Sequence, residues 1–106
     1  MLSTLRSYNN DGVMAYQCHE YYKAIDLLSE GLKVQLHAHL LSNRSATWAK
    51  LLQFDKALHD ARKCLELKPN WSEVLCRIGN VFMKQNLFDK AHDIYIEAIR
   101  GEPWNE

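Results

Sequence analysis

Three times in 106 residues the chain writes an aromatic residue, one variable residue, then Lys-Ala: Tyr21 to Ala24, Phe54 to Ala57 and Phe88 to Ala91. The alanines stand 33 and then 34 residues apart. Self-similarity at that period marks an array of two-helix units, each unable to bury its apolar face alone and so obliged to stack on the next. Such stacking builds an extended concave surface of the kind that binds other proteins.

Other positions keep the same register. Seven residues after each alanine comes a small side chain (Gly31, Cys64, Ala98), followed at once by a large aliphatic one (Leu32, Leu65, Ile99). Twelve before each alanine lies a third small residue, Gly12, Ser45 and Gly79. Small residues at fixed offsets on consecutive helices are what close helix approach requires, since larger groups would hold the backbones apart. Leu40, Leu41, Trp48, Leu51 and Leu52, then Leu58, Ala61, Leu65 and Leu67, add apolar residues at helical spacing. Pro69 and Pro103, also 34 apart, stand where second helices end. Six helices are predicted near 3–17, 21–34, 38–51, 55–67, 72–85 and 88–100.

Leu41-Ser-Asn-Arg-Ser-Ala-x-Trp-x-Lys, Phe54-Asp-Lys-Ala and the run from Ala61 to Trp71 resemble a tetratricopeptide repeat of the co-chaperone type. The resemblance covers nearly the whole chain as three repeats, about 5–37, 38–71 and 72–105, within a single domain over 1–106. It implies an all-α, right-handed superhelix of three helix-turn-helix repeats with no clear capping helix at its C-terminal end. The first repeat departs most, with Ala15 at a usually aromatic position, Leu36 in place of the closing proline, and one residue fewer.

Thirteen basic and thirteen acidic residues cancel. No global charge draws the chain to nucleic acid or to an anionic membrane, and no stretch approaches the ~20 apolar residues of a membrane span. The N-terminal residues lack the apolar core of a signal peptide. Cys18, Cys64 and Cys76 are odd in number and without zinc or disulfide spacing, which points to a reducing compartment, the cytoplasm by default. In that compartment the glycosylation tripeptides at Asn43 and Asn70 carry no meaning.

In tetratricopeptide architecture the first helix of each repeat lines the groove. Equivalent offsets give Arg6, Asn9, Asn10, Val13 and Gln17; His39, Ser42, Asn43, Ala46 and Lys50; and Glu73, Cys76, Arg77, Asn80 and Lys84. Four cations, Arg6, Lys50, Arg77 and Lys84, then face one acid, Glu73. A wall of one sign attracts the other, so an acidic peptide or a C-terminal carboxylate is the expected ligand, with Arg6, Asn10, His39, Asn43, Lys50, Arg77, Asn80 and Lys84 as its binding residues. The competing reading is a set of solvated surface charges.

The co-chaperone resemblance implies a clamp on the final acidic residue and free carboxylate of heat-shock chaperones. Asn43 and Arg77 match clamp positions, and Lys50 a supporting one. Asn9 and Val13 stand where the first repeat would offer lysine and asparagine, and Glu73 where the third would offer lysine. Each charge-assisted bond to a carboxylate is worth about 1.5–3 kcal/mol, so this chain is not expected to form a standard clamp. Asn43 also admits a structural role, bonding to neighbouring backbone, and Arg44 is placed to pair with acids of the second helix.

His37-x-His39 has no cysteine or carboxylate at ligand spacing, so no metal or cofactor is expected. No phosphate loop, nucleophile elbow or paired-carboxylate motif suggests an enzyme. Cys76 is the one nucleophile candidate on the groove and is expected to pack as a small apolar side chain, and Tyr8, Trp48 and Phe82 are assigned to the core. Finally, 88–100 should turn Ala91, Ile94, Tyr95, Ala98 and Ile99 inward. Ile96 and Trp104 fall off that stripe, an uncovered apolar surface that marks either self-association through the C-terminal end or a fragment of a longer protein. Trp71 and Trp104 are expected to pack over the repeat junctions.

Overall fold

The computed structural model describes residues 2–100, with side chains from residue 4 onward. Pro103 and Trp104 lie outside the described residues. Among the described residues six helices follow one another: α1 (Leu2–Gln17), α2 (Tyr21–Val34), α3 (Ala38–Lys50), α4 (Phe54–Leu67), α5 (Ser72–Lys84) and α6 (Phe88–Arg100). The predicted helices agree with these to within one residue at every end. There is no strand among the described residues. The helices pair as hairpins α1/α2, α3/α4 and α5/α6, each hairpin stacks on the next through α2/α3 and α4/α5, and the first helices touch along the array, α1 with α3 and α3 with α5.

The repeated small residues sit where close approach demands them. Ala24, Ala57 and Ala91 are buried to 1% exposure or less, and Gly12, Ser45 and Gly79 are buried opposite the second helices. A Cβ on Gly12 would stand 2.8 Å from Leu28, and one on Gly79 would overlap the Tyr95 ring. Ser45 carries its larger side chain by donating Oγ–H to the Ala57 carbonyl at 2.7 Å. Leu41, Ala57, Ala61, Cys64, Val74, Ile78 and Val81 form the main core, with Trp48, Phe82 and Trp71 packed half-buried against it.

Each hairpin turns the same way. The N–H groups of Glu20, Gln53 and Leu87 reach back five residues to Ala15, Trp48 and Phe82, and those of His19, Leu52 and Asn86 reach back three. This pairing satisfies the last carbonyls of the first helix and needs a left-handed residue at its centre. His19, Leu52 and Asn86 supply it, with φ of 64°, 60° and 62°.

The middle hairpin adds a polar fastening. Arg44 donates through Nε and Nη2 to both Asp60 oxygens at 2.7 and 2.8 Å, and through Nη1 to Ser29 Oγ at 3.1 Å. The expected pairing of Arg44 with an acid of the second helix is therefore present, and it also ties α2 to α3. Two expectations need correction. Ile99 does not turn inward: it is 52% exposed, whereas its equivalents Leu32 and Leu65 are half-buried because a following hairpin covers them. Asn43 bonds by its side chain to Asn9, Nδ2 to Oδ1 at 2.7 Å, not to backbone.

Candidate peptide-binding groove

With α1, α3 and α5 side by side, residues three and four apart on each helix form rows that run across all three. The row Val13, Ala46, Asn80 and the row Gln17, Lys50, Lys84 face the same side. Between α3 and α5 lies a depression of about 540 Å³ bordered by Ala46, Lys50, Asn80 and Lys84 of these rows and by Arg77. Ala46, Ala49, Val81 and Met83 supply apolar lining, and Tyr16 and Tyr95 also border it. No Asp or Glu borders it. Lys50 and Lys84 are the final residues of α3 and α5 and are exposed.

Arg77 is shared with a neighbouring hollow of about 220 Å³ bordered by Val13, Gln17, Asn43 and Ala46. A third, of about 200 Å³, lies at the other end of the surface, with Arg6, Asn9, His37 and His39 around it. The bond between Asn43 and Asn9 stands on this surface and engages the amides of both. Asn10 is exposed on α1 and borders none of the three hollows. Ser42, expected on the groove, is 2% exposed. It belongs to the central helix, which α1, α2, α4 and α5 all contact, so less of its circumference reaches solvent than on α1 or α5. Cys76, its equivalent on α5, is exposed and does not pack as the small apolar side chain expected, because α5 has fewer helices around it.

Arg77 is partly held by its own helix. Its Nη2 donates to Glu73 Oε1 at 3.1 Å, one turn back, while Nε is buried without a hydrogen-bond partner. Glu73, 57% exposed, thus draws on the cation at the centre of the wall instead of adding a lysine there. At the far side Tyr95 donates its hydroxyl to Asn80 Oδ1 at 2.6 Å, which orients the amide.

The sequence offsets missed one row. Tyr16, Ala49 and Met83 are equivalent positions, and all three border the depression. The signal was available, because they lie three residues after Val13, Ala46 and Asn80 and so share the same face of the helix.

His37 and His39 have packing and capping roles. His37 Nδ1 accepts the His39 backbone N–H at 3.2 Å at the start of α3, and the His39 ring meets Trp71 edge-on at 4.9 Å. Trp71 thus lies at the junction between the second and third hairpins. Among the cysteines, Cys64 is fully buried, its thiol donating to the Ala38 carbonyl at 3.2 Å, and burial pushes its pKa up, which keeps it a neutral thiol.

No family model matches the chain. It is 32% identical over 108 residues to the heat shock protein STI1 of Saccharomyces cerevisiae, an alignment covering 100% of this chain and 18% of the yeast protein. The chain spans less than a fifth of the length of the first curated relatives it matches. Among solved structures, the Sgt2 tetratricopeptide domain from Aspergillus fumigatus superposes with a TM-score of 0.85 at 28% identity, covering 92% of this chain and 65% of that one. The second tetratricopeptide domain of Spaghetti (RPAP3), bound to the HSP90 peptide SRMEEVD, gives 0.85 at 19% identity and 93% coverage of both chains. That last likeness is one of fold.

Proposed function

This chain belongs to the tetratricopeptide repeats, a protein-interaction module similar to those of co-chaperones, and we propose that it binds an acidic segment of a protein partner along its concave surface. Lys50, Arg77, Asn80 and Lys84 make the central contacts in this reading, with Arg6 and His39 available to a longer ligand, while Asn43 is held by Asn9 and Asn10 lies beside the hollows on α1. The observation that carries it is the charge of the depression: three cations and no carboxylate around one space, in a chain whose total charge is zero. A concave wall of one sign concentrates its field and steers an oppositely charged ligand. The peptide-bound structure of a domain with the same fold supports the general mode.

The ligand in this reading is recognised by its acidic side chains more than by a free C-terminus. Asn9 and Val13 bring no charge to the first repeat, and the Asn43 amide is already engaged with Asn9. An NMR titration with a short acidic peptide, as the free acid and as the amide, tests this. Both forms are expected to shift the amides of Lys50, Arg77, Asn80 and Lys84 by similar amounts, and a groove that neither form moves refutes the proposal. Replacing Glu73→Lys frees Arg77 and adds a cation, and should tighten the same peptide by about tenfold.

A second reading concerns the outer side of α6. Phe88 is 57% exposed, while its equivalent Phe54 packs against the core. Among the described residues α6 contacts only α5, and in this reading the face that α3 covers on α2, and α5 on α4, is covered on α6 by a second copy of the chain. Sedimentation over a wide concentration range tests this, and a constant monomer mass would exclude self-association.

A further inference from the structure

This inference rests on the groove reading and names the chemistry of its most basic hollow. We propose that the depression between α3 and α5 is a subsite for a dianion, and that its ligand is a phosphorylated serine or threonine side chain of the bound segment.

The charge count comes first. Lys50, Arg77 and Lys84 border one space of about 540 Å³ that no Asp or Glu borders. The three cations less the Glu73 carboxylate paired with Arg77 leave two positive charges, of which one ligand carboxylate cancels one. A phosphomonoester brings about −1.5 to −2 at neutral pH, with three acceptor oxygens on one atom. Two carboxylates match that charge only from two residues. Neighbours on an extended chain point to opposite faces, and residues two apart stand about 7 Å from each other, so an acidic pair spreads what a phosphate concentrates.

The uncharged lining has the same bias toward donors. Asn80 Oδ1 already accepts from Tyr95, which leaves the Nδ2 hydrogens as what this amide offers a ligand. Arg77 holds Glu73 through Nη2 in an exposed pair, and its Nε–H has no partner. Exposed ion pairs are weak and readily exchanged. A phosphoryl group, with more charge than Glu73 and oxygens spaced for the planar guanidinium fork, displaces it and takes both donors once the side chain turns.

The test is an NMR titration of the labelled chain with three blocked tripeptides: Ala-phosphoserine-Ala, Ala-Glu-Ala and Asp-Ala-Asp. The phosphoserine peptide is expected to bind about tenfold tighter than the glutamate peptide and to shift Lys50, Arg77, Asn80 and Lys84. Lys50→Ala with Lys84→Ala should remove most of that binding. Both lysines are exposed helix-end residues, so the helical circular dichroism should stay unchanged. Arg62→Ala with Lys63→Ala, on the outer face of α4, should leave binding intact. Equal binding of all three peptides, tighter binding of Asp-Ala-Asp, or phosphoserine binding that survives loss of both lysines overturns the subsite. If none of the three binds while the longer acidic peptide still moves the groove, the phosphate subsite is refuted and the groove reading stands. If the longer peptide also fails, both fall.

Discussion

Where the α3/α4 hairpin carries Arg44 and Asp60, the α5/α6 hairpin carries Ile78 and Ile94, each 34 residues further on. The first pair is a two-pronged ion pair that also reaches Ser29 on α2. The second is apolar, with Ile78 in the main core and Ile94 packed against it. The small residue differs as well, Ser45 donating to a backbone carbonyl in one hairpin and Gly79 lying bare under the Tyr95 ring in the other. One backbone geometry thus tolerates polar or apolar fastening. The polar kind occurs in the central hairpin, which has a neighbour on each side. There a desolvated ion pair with fixed directions pins one repeat against the next, as well as joining the two helices of its own hairpin.

The largest effect should come from breaking that pair on one side only. Asp60 is 2% exposed in its side chain and Arg44 23%, so Asp60→Ala leaves a mostly buried guanidinium unpaired and is expected to cost about 3–5 kcal/mol. Urea denaturation followed by circular dichroism reads this directly. The double change Arg44→Ile with Asp60→Ile copies the last hairpin and should recover most of the loss, since a buried pair replaced by apolar side chains is often neutral. A cost below about 1 kcal/mol for Asp60→Ala would mean the pair fastens nothing.

A smaller effect is expected on the apolar side of the comparison. Gly79→Ala gains about 1 kcal/mol of helix propensity. It also puts a methyl group against the Tyr95 ring, and the displaced ring takes its hydroxyl from Asn80. Overpacking of this kind costs about 1–3 kcal/mol, so the net change should be a lower unfolding midpoint. A rise in the midpoint would show that the α5/α6 contact has slack the Ser45 site lacks. Because Asn80 borders the depression, the variant should also weaken acidic-peptide binding.

The fold was legible because its constraint is written at spaced positions. Ala24, Ala57 and Ala91 must be small wherever two helices touch, and three occurrences at one period are enough to set the register. Ile99 shows where that logic ends: periodicity says which face of α6 is apolar, and burial depends on whether a further helix lies against it. The groove was partly legible for a related reason. Equivalent offsets brought together Lys50, Arg77, Asn80 and Lys84, but they put Ser42 on the surface, since an offset carries no record of how many helices surround the central one. The bond between Asn43 and Asn9 joins residues 34 apart, and the Glu73 contact to Arg77 depends on rotamers. Neither is a pattern of residue types.

The turns were the least legible part, and they give the finest comparison between hairpins. The second and third turns place Leu52 and Asn86 at equivalent left-handed positions, with φ of 60° and 62°. Asparagine tolerates that region, and leucine pays a steric penalty of about 1–2 kcal/mol between its Cβ and the following carbonyl. Leu52 is 65% exposed, so truncating it loses little packing. Glycine removes the strain but loosens the unfolded chain, an opposing effect of about 0.4–1 kcal/mol. Leu52→Gly should therefore stabilise the protein by about 0.5–1 kcal/mol, while Asn86→Gly should change it by no more than a few tenths. Paired thermal unfolding curves decide the point. If Leu52→Gly lowers the midpoint, the leucine side chain contributes contacts that outweigh its backbone strain, and the three turns differ in more than their central residue.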